Sequence, residues 1–118
     1  MSGKPIYQQI ADELLNLIGS GELGPGDRVP STNELSKFHS VNPTTSAKAL
    51  TELFDAGLVE KRRGLGMFVL PEARDKVLHA RRAAFAQRFI HPLLTEADHL
   101  GLSAAELQQL IDHERSAR

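Results

Sequence analysis

The 118-residue sequence predicts an α+β fold that is mainly α, with a compact N-terminal domain and a short helical tail. Three observations carry this. Apolar residues recur at helical spacing in the first third of the chain; two short apolar runs flank a glycine-containing basic loop at residues 62–66; and a long helical stripe follows Pro71. The boundaries read from these patterns are residues 1–71 and 72–118.

The first helix is expected from Pro5 to about Gly19. Ile6, Ile10, Leu14, Leu17 and Ile18 share one side, and proline fits a first helical turn. The glycines and prolines of GSGELGPGDRVP then enforce a turn. Ser31 opens a second helix, because S-T-N-E places Glu34 where a capping box needs it. Leu35 and Phe38 are expected to form its buried side, and Val41 to anchor the following turn. Asn42-Pro43 starts a third helix, since asparagine caps well and proline is tolerated at the first position. Gly57 is placed to end it. Strands are expected at residues 58–61 and 67–70, joined by Arg62-Arg63-Gly64-Leu65-Gly66. This order of elements is that of a winged helix-turn-helix.

In the tail, Leu78, Phe85, Phe89, Leu93, Ala97 and Leu100 form a helical stripe that Val77, Ala84, Ile90 and Leu94 widen. Pro92 should kink or split that helix. Gly101 stops it, and Ser103 with Glu106 repeats the capping-box pattern before a last helix carrying Leu107, Leu110 and Ile111. The stripe is broader than one domain contact requires, so the tail is expected to dimerise through Leu78, Phe85, Phe89, Leu93, Leu94, Leu107, Leu110 and Ile111.

Bulk charge points to no partner. Lys and Arg total 14 against 15 Asp and Glu, and each part of the chain is close to neutral. What matters is where the charges sit. In a helix-turn-helix the second helix of the pair enters the major groove by its N-terminal residues. Here these are Asn42, Thr44, Thr45, Ser46 and Lys48, compact polar groups at the end where backbone N–H groups also point outward. Lys61, Arg62 and Arg63 cluster beside Gly64 on the hairpin, within reach of phosphates or a narrow minor groove. Arg28 and Lys37 are candidates for further phosphate contacts, and Ser31 joins the set at the cap. The acidic residues Asp12, Glu13, Glu22, Asp27, Glu52 and Asp55 are expected to lie mainly away from the DNA face.

The chain has no cysteine and no run of about 20 apolar residues, and its first residues lack the apolar core of a signal peptide. A cytoplasmic protein without membrane association is expected. No phosphate-cradling loop, H-E-x-x-H or nucleophile elbow is present, so neither an enzyme, a cofactor nor a metal site is expected.

The ordered set P-I-Y-Q-Q-I-A, G-E-L-G-P-G-D-R-V-P-S-T-N-E-L-S, V-N-P-T-T-S-A-K-A-L and G-L-V-E-K-R-R-G-L-G-M-F-V, covering residues 5–70, resembles the GntR family of bacterial regulators. The V-N-P turn and the tail P-L-L-T-E-A-D-H-L-G-L-S-A-A-E-L resemble its YtrA subfamily, whose members are dimeric regulators with two tail helices. The resemblance implies DNA contacts at Asn33, Thr44, Thr45, Lys48, Arg63 and Gly64. Two positions depart from the family pattern: Asn33 stands where arginine is usual, and Ala47 where other subfamilies often carry arginine. Both departures imply a changed operator or weaker binding. Pro43 also replaces a common arginine, as is normal for the subfamily.

The reading is a homodimeric regulator, expected to repress, on an inverted-repeat operator in double-stranded DNA. The alternative is a winged-helix module that binds protein without specific DNA binding. A tail of residues 71–118 is too short to enclose a ligand pocket alone. A small-molecule effector would sit at the dimer interface or between tail and winged helix.

Overall fold

The computed structural model describes residues 3–118. Its elements are α1 (Ile6–Ser20), α2 (Thr32–His39), α3 (Pro43–Asp55), β1 (Val59–Arg62), β2 (Gly66–Val69) and α4 (Ala73–Phe85), then a π-helical turn (Ala86–Ile90), α5 (His91–His99) and α6 (Ala104–Ser116). The chain divides into two compact units, one ending at His79 and one running from Ala80 to Arg118.

In the first unit, α1 presents Ile10, Ala11, Leu14 and Ile18 inward. They meet Val29, Leu35, Ala49, Leu50, Leu53, Leu58, Val59 and Val69 in one core. Pro5 caps α1 from outside, with its carbonyl accepting the N–H groups of Gln8 and Gln9. The strands pair antiparallel, Val59 with Val69 and Arg62 with Gly66 at the two ends, one residue displaced from the expected spans. The chain before α2 runs beside β2: Gly26 N–H donates to Val69 O (2.8 Å), and Val29 N–H to Met67 O (2.9 Å). This extra backbone pairing braces a hairpin that two short strands alone would hold weakly.

The compact unit extends beyond Pro71 because the start of α4 belongs to the same core. Ala73 and Val77 are buried in it. Arg74 Nε donates to Gly19 O (3.1 Å) and Lys76 Nζ to Gly57 O (3.2 Å). Gly57 has φ +75°, and a Cβ there would lie 2.8 Å from Lys76 Nζ. The positive φ favours glycine at the turn out of α3, whereas the lysine end is free to shift.

Phe38 corrects the sequence reading: it is 82% exposed. The neighbouring His39 takes the inward place, its Nε2 lying 3.1 Å from Glu13 Oε2, and Phe38 turns outward with its ring edge-on to the imidazole. An eight-residue helix presents one narrow face, and Leu35 with His39 at i+4 occupies it.

In the second unit, the π-helical turn ends at Ile90, two residues before Pro92. Proline lacks an N–H and crowds the carbonyl four residues back, so a widened turn is how the helix accommodates it. Leu102 N–H returns to Ala97 O (3.0 Å) and Gly101 adopts φ +70°, closing α5. Ser103 and Glu106 form the expected capping box. Phe85, at the end of α4, and Phe89, Ile90, Leu93, Leu94, Leu100 and Leu110 are exposed large apolar side chains of this unit. Leu107 and Ile111 are half-buried, as is Leu78 near the end of the first unit. Among the described residues no helix is long and apolar enough to cross a membrane.

Candidate nucleic-acid interface

Two short helices and a hairpin create the candidate surface. Ser31 and Glu34 close the capping box that starts α2: the Ser31 hydroxyl accepts from Glu34 N–H (3.1 Å), and Ser31 N–H donates to Glu34 Oε1 (2.9 Å). Arg28 Nη2 lies 2.9 Å from the same Glu34 oxygen. The backbone bond from Ser31, then the Arg28 guanidinium, hold the Glu34 carboxyl below its usual range. Arg28 is thereby paired at the start of α2, the helix on which Asn33 is exposed. Lys37 is exposed one turn further along.

The turn between α2 and α3 passes through Ser40, the one non-glycine with positive φ (+56°) among the described residues. Ser40 N–H bonds back to Ser36 O and Val41 half-buries its side chain against the core. Asn42 then caps α3, its Oδ1 accepting from Thr45 N–H (2.9 Å) and Thr45 Oγ1 (3.1 Å). Beyond the cap, Thr44, Ala47, Lys48 and Thr51 are exposed at helical spacing on one outer face. Thr51, which the sequence reading did not single out, is exposed and turns its hydroxyl back to Ala47 O (2.9 Å). Continuing the i, i+4 series from Thr44 through Lys48 would have found its neighbourhood.

Ser46 is a correction among the expected DNA contacts. It is fully buried, and its Oγ accepts from Ser36 Oγ at 2.8 Å. This bond ties α2 to α3 across their crossing, so Ser46 sets the angle between the paired helices and has no face toward a ligand.

The hairpin cations divide. Arg62 Nη2 and Nε lie 2.9 and 3.0 Å from Glu60 Oε1, and its guanidinium covers the Phe68 ring at 4.3 Å. Lys61 Nζ stands 4.6 Å from the centre of the Phe54 ring. In the same way Lys48 Nζ stands 4.1 Å over Tyr7. Arg63 is exposed at the tip and has no ion-pair partner among the described residues, next to Gly64 with φ +77°. Glu34 and Glu60 thus sit among the cations. The pairing of Glu60 with Arg62 follows from strand alternation, which puts residues two apart on one face.

No group of three His, Cys, Asp or Glu side chains able to hold a metal occurs among the described residues. The surface instead offers a hydroxyl and an ammonium from α3, a guanidinium and glycine-rich backbone from the hairpin, and Arg28 with Asn33 from the start of α2. Such groups hydrogen-bond to phosphates and base edges.

The chain is 30% identical over 110 residues to the transcriptional repressor YtrA of Bacillus subtilis, an alignment covering 93% of this chain and 84% of that protein. The fold matches a GntR family transcriptional regulator from Listeria monocytogenes with a TM-score of 0.76, at 25% identity over 96% of this chain and 97% of that one. It also matches the DNA-binding domain of AraR in complex with its operator ORE1, with a TM-score of 0.54 and 33% identity over 56% of this chain and 80% of that one. Residues 6–69, from the start of α1 to the end of β2, match the model of the bacterial regulatory proteins of the gntR family, and the chain belongs to that family.

Proposed function

We propose that this protein is a transcription regulator that binds operator DNA as a homodimer and represses. The observation that carries the reading is the outer face of α3, where Thr44, Ala47, Lys48 and Thr51 stand free of the core with Arg63 exposed on the adjoining hairpin. Similarity to a repressor along most of both chains supports it. In this reading α3 enters the major groove with Thr44 at the base edges. Asn42 and Thr45 hold the helix start, and Lys48, Lys37 and Arg28 contact phosphates. Asn33, Arg63 and Gly64 complete the contacts, while Ser31 orders the loop that carries Arg28.

The second compact unit supplies the dimer. Phe85, Phe89, Leu93, Leu94 and Leu110 are each at least 40% exposed, a concentration of apolar surface unusual for a monomer. Leu107 and Ile111 in the same unit are half-buried, as is Leu78 near the end of the first unit. The division of labour is a DNA-reading first unit that ends at His79 and a dimerising second unit from Ala80 to Arg118, acting in the cytoplasm and without catalytic activity.

The test is a double substitution, Thr44→Ala with Lys48→Ala, measured against a selected operator and a scrambled duplex. We expect specific affinity to fall at least tenfold, and the salt dependence to flatten by about one phosphate contact. Unchanged affinity would remove α3 from the interface. Binding that ignores DNA altogether would favour a protein-interaction module.

A further inference from the structure

Leu65 is 66% exposed at the tip of the hairpin, and nothing in folding requires an apolar side chain there. Its N–H donates to Arg62 O (2.9 Å), so a tight turn fixes its backbone. The residues on either side, Gly64 and Gly66, have φ of +77° and +117° and carry no side chain. A Cβ at Gly64 would meet nothing within 4 Å. The tip is therefore slim on the Gly64 side of the Leu65 isobutyl group, while on the other side a Cβ at Gly66 would lie 3.5 Å from Arg28 Cδ. Behind it, Lys61 and Arg62 are drawn back over Phe54 and Phe68. Arg63 and Leu65 are left as the leading groups.

We propose that Leu65 enters the minor groove beside each half-site, packs against the deoxyribose walls and wedges at one base step. The proposal rests on the DNA-binding reading above and adds a specificity-determining residue to it. A minor groove is only roughly 6 Å wide, so it admits a slim tip more readily than a broad one. Apolar side chains inserted there partly unstack a step, and pyrimidine–purine steps such as TA or CA yield most easily. Leu65 thus selects sequence through deformability, at a position where no hydrogen bond to a base is made. Arg63 beside it supplies attraction to phosphates without that selectivity.

The experiment uses the full chain and a random duplex pool, selected in parallel by the wild type, Leu65→Ala and Arg63→Ala. The wild-type pool is expected to carry a pyrimidine–purine step at a fixed distance outside each half-site. Leu65→Ala should bind the wild-type consensus about tenfold more weakly with an unchanged salt slope, and its own pool should lose that step while keeping the half-site core. Arg63→Ala should keep the step and flatten the salt slope. Leu65 is exposed, so its substitution leaves the fold intact, which an unchanged melting temperature checks. A Leu65→Ala pool that retains the step overturns the proposal whatever the affinity, and so does a wild-type pool with an enriched core but no such step. A wild-type pool without any enriched sequence defeats the DNA-binding reading itself, and this proposal with it.

Discussion

The two compact units treat their apolar side chains in opposite ways. The first buries Ile10, Leu14, Ile18, Leu53 and Val69 to 3% exposure or less. The second buries Ala97 and leaves Phe89, Leu93, Leu94 and Leu110 at 40% or more. A unit that buries its own large residues has its folding energy within itself. One that buries an alanine and exposes phenylalanines has its largest hydrophobic contribution still to make. The contrast places the self-contained core in the first unit, and in the proposed reading the second unit carries self-association.

Substitutions in the two units should therefore report to different instruments. Leu53→Ala, at the centre of the first core, should cost about 2–5 kcal/mol in chemical unfolding, because the packed surroundings leave a cavity. A small loss there would mean that the core is looser than its burial indicates. Phe89→Glu should weaken dimerisation at least tenfold in sedimentation while leaving the helical content of the chain unchanged. A dimer that survives it would place the interface elsewhere.

Smaller effects sharpen the comparison. Ser31→Ala and Ser103→Ala remove the same capping box, one from each unit, and each should cost about 1 kcal/mol of helix stability. The first should register in the unfolding of the DNA-reading unit and the second in the dimer, which thermal scans at two protein concentrations separate. Acid should act on the same two caps. Backbone N–H groups of Ser31 and Ser103 are the main cause holding the Glu34 and Glu106 carboxyls below the ordinary glutamate value of 4.5. The folded forms favour the ionised state, so their contribution is present above that value and is lost as pH falls through the lowered folded values. Glu34→Gln should blunt the acid sensitivity of the first unit. Ser40→Gly should stabilise by about 0.5–1 kcal/mol, since glycine adopts the left-handed conformation at Ser40 without strain.

What was legible in the sequence was what neighbours along the chain decide. The capping boxes at Ser31 and Ser103, the cap at Asn42 before Pro43, and the glycines at 57, 64 and 101 act within one turn of themselves. Each stands where its spacing predicted. Helix identity and order followed from these signals and from apolar periodicity. Side-chain direction did not, where a distant partner decides it. Ser46 turns inward because Ser36 waits across the helix crossing, and Phe38 turns outward because Glu13 draws His39 in. Arg62 reads as a tip cation but folds back on Glu60 and Phe68. The candidate surface was named from the sequence as a region, and the structure separates its exposed side chains from its buried and paired ones.

The central claim is that this surface reads a specific DNA sequence in two symmetric copies. Its most direct test is sequencing of the duplexes retained from a random pool by the purified full chain at moderate salt. The account predicts one enriched inverted repeat, with half-sites about one helical turn, 10–10.5 base pairs, or a multiple apart. No enrichment, with no binding even at low salt, would contradict it.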